Sequence, residues 1–186
     1  MNNFNKKDSR LTENKFLSDS EVNQLFTLLE NHKGERDSIM LRLSLFTGAR
    51  GIELINILKS NLGNDECITI KGRKRSNDRT IPLPKPFFNE LKEYAKHFSD
   101  NQKLFPISVR RCRQIWDQYR PNKNKGLHSL RHTQGVRLYD SSRDIHLVQT
   151  VLGHKIIENT LKYLDYVESS EKIRGCMNKM WKKKVA

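Results

Sequence analysis

Cysteine is scarce in this chain: three in 186 residues, at Cys67, Cys112 and Cys176, with no C-x-x-C pair. That spacing argues against a disulfide framework or a zinc-binding cluster and leaves three ordinary half-buried thiols. Long apolar runs are missing as well. No stretch approaches the roughly 20 apolar residues that span a bilayer, and no hydrophobic signal segment follows Met1. The chain is therefore expected to be soluble and cytoplasmic, with no membrane partner. Acidic residues are in short supply, 21 against 35 Lys and Arg, for a formal net charge of +14. Such an excess points to a polyanion, and nucleic acid comes first because neutralised phosphates release condensed counterions. No carboxylate cluster suggests a metal site. Internal repeats, low-complexity tracts and an interior linker are also absent, so the length suits one domain with a short arm.

What is present is mostly helical patterning around one small sheet, an α+β architecture. Residues 1–12 are polar and read as a flexible arm, placed at 1–15 when domains are drawn. Ser18 and Glu21 form an S-x-x-E capping box before Val22, Leu25, Phe26 and Leu29, which share a helical face. A second helix is predicted over 37–46, stopped by Gly48, and a short third over 52–58. The period then changes. Residues 67–70 and 79–83 alternate as strands around a basic tip, 71–78, with Ser76-Asn77-Asp78 as turn chemistry. Helical patterns resume over 87–98, 109–119, 128–139, 145–152 with Gly153 as its stop, and 156–164. A last helix is predicted over 169–183, with Ile173, Met177, Met180 and Trp181 on one stripe.

Several polar residues suit phosphate chemistry. His128 and Arg131 are three apart on one helical face, and an arginine held there presents a planar fork to a phosphate. His132 flanks the same arginine. Arg50 follows Gly48 and Ala49, small residues that let a backbone approach a ligand, and Glu53 is placed to orient it through an ion pair. Lys71 opens the hairpin tip, where Arg73, Lys74, Arg75 and Arg79 crowd within nine residues. They are candidate DNA contacts. His154 follows Gly153, and Tyr163 lies nine residues further on.

Together these residues resemble the tyrosine recombinase (phage integrase) family. TGARGIEL is similar to its first arginine box, IKGRKRSNDRTIPLP to its hairpin lysine segment, LHSLRHTQGVRL to its H-x-L-R-H box, and VLGHKIIENTLKYLDY to its L-G-H box and nucleophile. The resemblance covers about 16–167 and implies a catalytic domain at 16–168 with a tail at 169–186. It implies that Arg50 and Arg131 clamp a scissile phosphate, that Lys71 protonates the departing 5′ oxygen, and that His128 assists proton transfer. His154 would hydrogen-bond the phosphate, Tyr163 would attack it, and Glu53 would support. The hairpin is longer than the family's usual form, which leaves Lys74 as an alternative acid. Tyr166 is the alternative nucleophile.

The implied activity is cleavage and rejoining of DNA through a 3′-phosphotyrosyl bond, without cofactor or metal. The expected assembly is a homo-tetramer on double-stranded DNA and a monomer or weak oligomer when free. The tail is expected to dock on its own domain or on a neighbour. Only about 17 residues precede the first helix, where most members of the family carry an N-terminal clamp domain, so the expectation is either an isolated catalytic domain or a naturally short enzyme. Two alternatives stand beside this reading: type IB topoisomerase-like relaxation of DNA, and a basic DNA-binding protein without catalysis.

Overall fold

The computed structural model describes residues 11–73 and 76–164, and the isolated positions 175, 177, 178 and 180. Eight α-helices and one two-stranded antiparallel sheet are formed among them, as the patterning predicts. Helix α1, Asp19–Glu30, starts on the capping box: Ser18 Oγ accepts the Glu21 N–H, and the Glu21 side chain accepts the Ser18 N–H. Helix α2, Arg36–Thr47, is buried on almost every side, including Ser38, Arg42 and Ser44. A helix apolar around most of its circumference belongs inside the molecule, and α2 lies between α1 and α6 (His128–Ser142). Most of its polar atoms are satisfied internally, Arg42 Nε excepted. Ser38 donates to the Leu29 carbonyl, and Arg42 pairs with Glu90.

Helix α3 is shorter than expected, Gly51–Leu54. The chain beyond it is taken by a distant partner: Ile57 O accepts the Leu104 N–H, and Leu58 bridges Lys103. Strands β1 (Cys67–Ile70) and β2 (Arg79–Pro82) pair with Ile68 opposite Ile81 and Ile70 opposite Arg79. The inner face of this pair carries Ile68, Ile70, Arg79 and Ile81, all buried. Helices α4 (Lys85–Ala95) and α5 (Val109–Tyr119) close the main core with Phe87, Phe88, Leu91, Ile115 and Trp116.

A second, smaller core lies beside α6 and α7 (Ile145–Leu152), and α8 (Glu158–Leu161) follows it. It gathers Leu11, Phe16, Val136, Val148, Leu152 and Tyr163. Here the expected arm is corrected. Leu11 is buried, Glu13–Lys15 form a 3-10 turn packed on α6, and Leu17 N–H donates to Thr133 Oγ1 at 2.8 Å. An apolar pair, Leu11 and Phe16, flanks the turn and anchors it, so residues 11–15 belong to the domain body. The predicted helix over 169–183 lies largely outside the described residues; Met177 and Met180 are exposed. No helix among the described residues is long and apolar enough to cross a membrane.

Candidate active site

Two left-handed glycines frame the site. Gly48 (φ +61) ends α2, and a Cβ there would lie 2.5 Å from Leu152 Cδ2. Gly153 (φ +68) ends α7, and its Cβ would meet Asn77 O at 2.9 Å and the Arg79 side chain at 3.0 Å. Both positions need glycine twice over, for backbone sign and for space. Arg131 spans the two turns: Nη1 donates to Gly48 O at 2.6 Å and Nη2 to Leu152 O at 2.7 Å. The guanidinium is 1% exposed. Burial and the nearby Arg50 charge lower its pKa to about 9, so it stays protonated at neutral pH.

Glu53 is the buried acid beneath these cations. Burial alone would raise its pKa. The Arg79 hydrogen bond and charge, the Arg50 N–H and the Arg131 charge outweigh that and lower it. Its tightest partner is Arg79, with Nη2 at 2.9 Å. Arg50 Nη1 stands at 3.3 Å and Arg131 Nη1 at 4.0 Å. Arg79 is therefore a correction to the expected row of DNA-contacting cations. It is buried, ion-paired to Glu53, and donates to Val151 O at 2.8 Å. The signal was available: Arg79 is two residues from Ile81, so the strand's alternation points both inward.

The three histidines around Arg131 are held neutral. His154 is buried, with Nδ1 2.9 Å from Thr160 Oγ1. Burial, then Arg131 and Arg50, push its pKa down to about 3. His128, at the start of α6, is exposed to solvent, and partial burial and the Arg131 charge lower its pKa to about 4. His132, one turn along α6, stacks edge-on against His128 with centroids 4.6 Å apart. Burial and Lys162 lower it to about 2.

Tyr163 completes the cluster. It is fully buried, and its ring lies on Gly135, where a Cβ would approach Cε1 and Cζ to 2.6 Å. Its hydroxyl is 3.2 Å from His132 Nδ1. Burial raises the phenol to about 12, against the opposing pull of Arg131 and Arg50. Lys162 Nζ sits over the ring, 5.3 Å from its centroid; burial and Arg131 lower its pKa to about 8. Gly135, Thr160 and Lys162 were not singled out from the sequence, because each acts through a contact between α6 and the segment after α7.

The hairpin docks against this group. Asn77 N–H and Ser76 Oγ both donate to Gly153 O, at 2.9 and 3.1 Å. Lys71, at the end of β1, is exposed, and its ammonium is bonded to Asp78 at 2.9 Å. Arg73 is exposed. Lys74, Arg75 and Tyr166 lie outside the described residues. The structure thus gathers Arg50, Glu53, His128, Arg131, His154 and Tyr163 around the two glycine turns, with Lys71 on the docked hairpin. A buried guanidinium (Arg131) and a half-buried one (Arg50) beside neutral imidazoles and a phenol can hold an oxyanion and pass protons around it.

Residues 15–169 match the family model described as "Phage integrase family". Among curated relatives, tyrosine recombinase XerA of Pyrococcus furiosus is 28% identical over 162 residues, covering 80% of this chain and 56% of the relative. The chain thus spans little more than half the length of that relative. The crystal structure of XerA recombinase superposes with a TM-score of 0.71 at 19% identity, covering 97% of this chain and 66% of that one. The catalytic domain of bacteriophage HP1 integrase gives 0.63 at 22% identity, covering 88% and 95%.

Proposed function

Because the chain belongs to the phage integrase family, we propose that it acts as a site-specific DNA recombinase or integrase, with the catalytic domain expected at 16–168 extended to residue 11. The observation that carries this reading is the placement of Tyr163: its buried ring packs on Gly135, one helical turn past Arg131, and its hydroxyl lies 3.2 Å from the ring of His132, which follows Arg131.

In this reading Arg50 and Arg131 take the nonbridging oxygens of a DNA phosphodiester. Arg131 enters pre-oriented by the carbonyls of Gly48 and Leu152, and Glu53 keeps the cation array from flying apart. Fixed charges of this kind stabilise the transition state without reorganising. His154 and His128, neutral, hydrogen-bond the phosphate and move protons around it. Tyr163 Oη bonds to phosphorus as the P–O5′ bond breaks, which leaves a 3′-phosphotyrosine. Lys71, released from Asp78, protonates the departing 5′ oxygen. A 5′ hydroxyl from a partner strand then reverses the steps, so strands are exchanged without a nucleotide cofactor, and cleavage persists in EDTA. The fully buried phenol requires the cleft to open before a phosphate reaches it.

The partner is double-stranded DNA, in keeping with the +14 charge. Arg73, Lys74 and Arg75 add backbone contacts from the hairpin. Assembly is as a homo-tetramer on DNA and as a monomer or weak oligomer when free, with a cytoplasmic, nucleoid-associated location. The tail at 169–186 packs on its own domain or a neighbour's.

The test is covalent capture. Wild-type protein is incubated with a random-sequence pool of nicked duplexes, and the DNA that stays attached after denaturation is sequenced to define the site. On that site the wild type forms an adduct, while Tyr163→Phe forms none. An adduct that survives Tyr163→Phe but not Tyr166→Phe moves the nucleophile. Relaxation of supercoils without exchange between paired sites marks a topoisomerase instead.

A further inference from the structure

The proton of the nucleophile needs somewhere to go, and the site offers a specific acceptor. Tyr163 is protonated at neutral pH, so its hydroxyl must donate a hydrogen. Burying that donor unpaired would cost on the order of 1–3 kcal/mol. Among the described residues its hydrogen-bond partner is His132 Nδ1, at 3.2 Å. His128, the histidine expected to assist proton transfer, instead stands perpendicular to the His132 ring.

From this geometry we propose that His132 is a catalytic residue: its Nδ1 accepts the Tyr163 hydrogen bond, orients the phenol, and takes its proton as Oη bonds to phosphorus. The inference rests on Tyr163 being the nucleophile. Three observations support it. His132 is on α6 directly after Arg131, so acceptor and phosphate clamp move as one rigid unit. The Tyr163 ring packs on Gly135 of the same helix, four residues after Arg131, so the phenol that His132 holds sits beside the phosphate clamp. Finally, burial and the Lys162 and Arg131 charges oppose the imidazolium, so His132 is neutral in the free site, and in its Nε2–H tautomer Nδ1 accepts the phenol hydrogen.

A bound phosphodiester changes that balance. Its negative charge offsets the same cations, so the imidazolium becomes affordable when the phenol proton arrives. The step balances: Oη–P forms, P–O5′ breaks, the phenol proton goes to His132 Nδ1, and the 5′ oxygen takes a proton from the hairpin side.

Single-turnover cleavage of the captured nicked substrate tests this with three variants. His132→Ala is expected to slow adduct formation by roughly 10²–10⁴-fold, the range of a lost general base. His132→Asn, whose amide oxygen falls near the Nδ1 position, recovers part of the rate. His132→Gln, which places its amide near Nε2, recovers less. The Asn-over-Gln order holds even if the alanine variant fails to fold. A second substrate carries sulfur at the 5′ bridging position, a leaving group that departs without protonation. On it the His132→Ala defect persists, whereas a Lys71→Ala defect is relieved.

Alanine or glutamine variants as fast as wild type, or faster, overturn the proposal, as does relief of the His132→Ala defect by the sulfur substrate. These outcomes are separate from failure of the nucleophile assignment, which shows as an adduct formed by Tyr163→Phe.

Discussion

At the residue scale, Glu53 carries more than the orienting of one arginine. Its carboxylate faces Arg79, Arg50 and Arg131 from a fully buried position. A buried charge that loses its partner is destabilised far more than the pair was stabilised, by about 3–5 kcal/mol. Glu53→Gln keeps the shape and removes the charge, leaving Arg79 buried and uncompensated. Urea unfolding is expected to show a loss of that order, and cleavage should fall with it because Arg131 loses part of its frame. Arg79 shows what a count of charges conceals. Among the hairpin cations it looks like one more DNA contact, yet strand alternation turns it inward onto Glu53. His132 shows the opposite case, a residue visible beside Arg131 whose value depends on where Tyr163 arrives.

At the element scale, the hairpin is positioned by the end of α7. Asn77, Ser76 and Arg79 all bond to the Val151–Gly153 backbone, so strand tip and helix end share one joint. Gly153→Ala strains that joint twice. A side chain at φ +68 costs about 1–2 kcal/mol, and the new Cβ lies within 3.0 Å of Asn77 and Arg79. The hairpin must shift and carry Lys71 with it. A thermal melt is expected to drop by several degrees, and the cleavage rate on an ordinary 5′-oxygen substrate should fall at least tenfold.

Much of this element structure was legible. Helices 109–119 and 145–152, the capping box at Ser18 and the strand pair follow from local chemistry: apolar period, caps and turn residues. Helix α3 was not, because pairing of Ile57 and Leu58 with Lys103 and Leu104 ended it. Nor was the packing of residues 11–15, where a polar stretch carries one anchoring leucine into a distant core.

For the whole molecule, burying neutral histidines beside a cation cluster makes stability depend on pH. His132 and His154 have folded pKa values of about 2 and about 3, against roughly 6.5 in the unfolded chain. Below that unfolded value the unfolded chain takes up protons that the fold refuses. The contribution is therefore complete above about pH 6.5 and is lost as pH falls toward the folded values. For these two groups the slope is at most roughly 2–3 kcal/mol per pH unit between pH 6 and 5. Glu53 acts lower: its contribution is present above the ordinary carboxylate range and is lost as pH falls through its depressed folded value. Calorimetry from pH 7 to pH 5 is expected to show a falling melting temperature. At pH 5, unfolding should take up about two protons from these two histidines; an unchanged melting temperature would contradict their burial as neutral rings.

The sequence by itself determined the fold class, the order of the boxes and which residues were candidates for the site. Those depend on local period, caps and the spacing of chemical groups along the chain. Only the tertiary structure decided which groups face one another. It turned Arg79 from the hairpin surface to the interior, tied residues 11–15 to the core that holds Tyr163, and set the Tyr163 hydroxyl on His132. These outcomes depend on contacts between segments far apart in sequence, where packing and the burial of charge choose among partners that local pattern leaves equivalent.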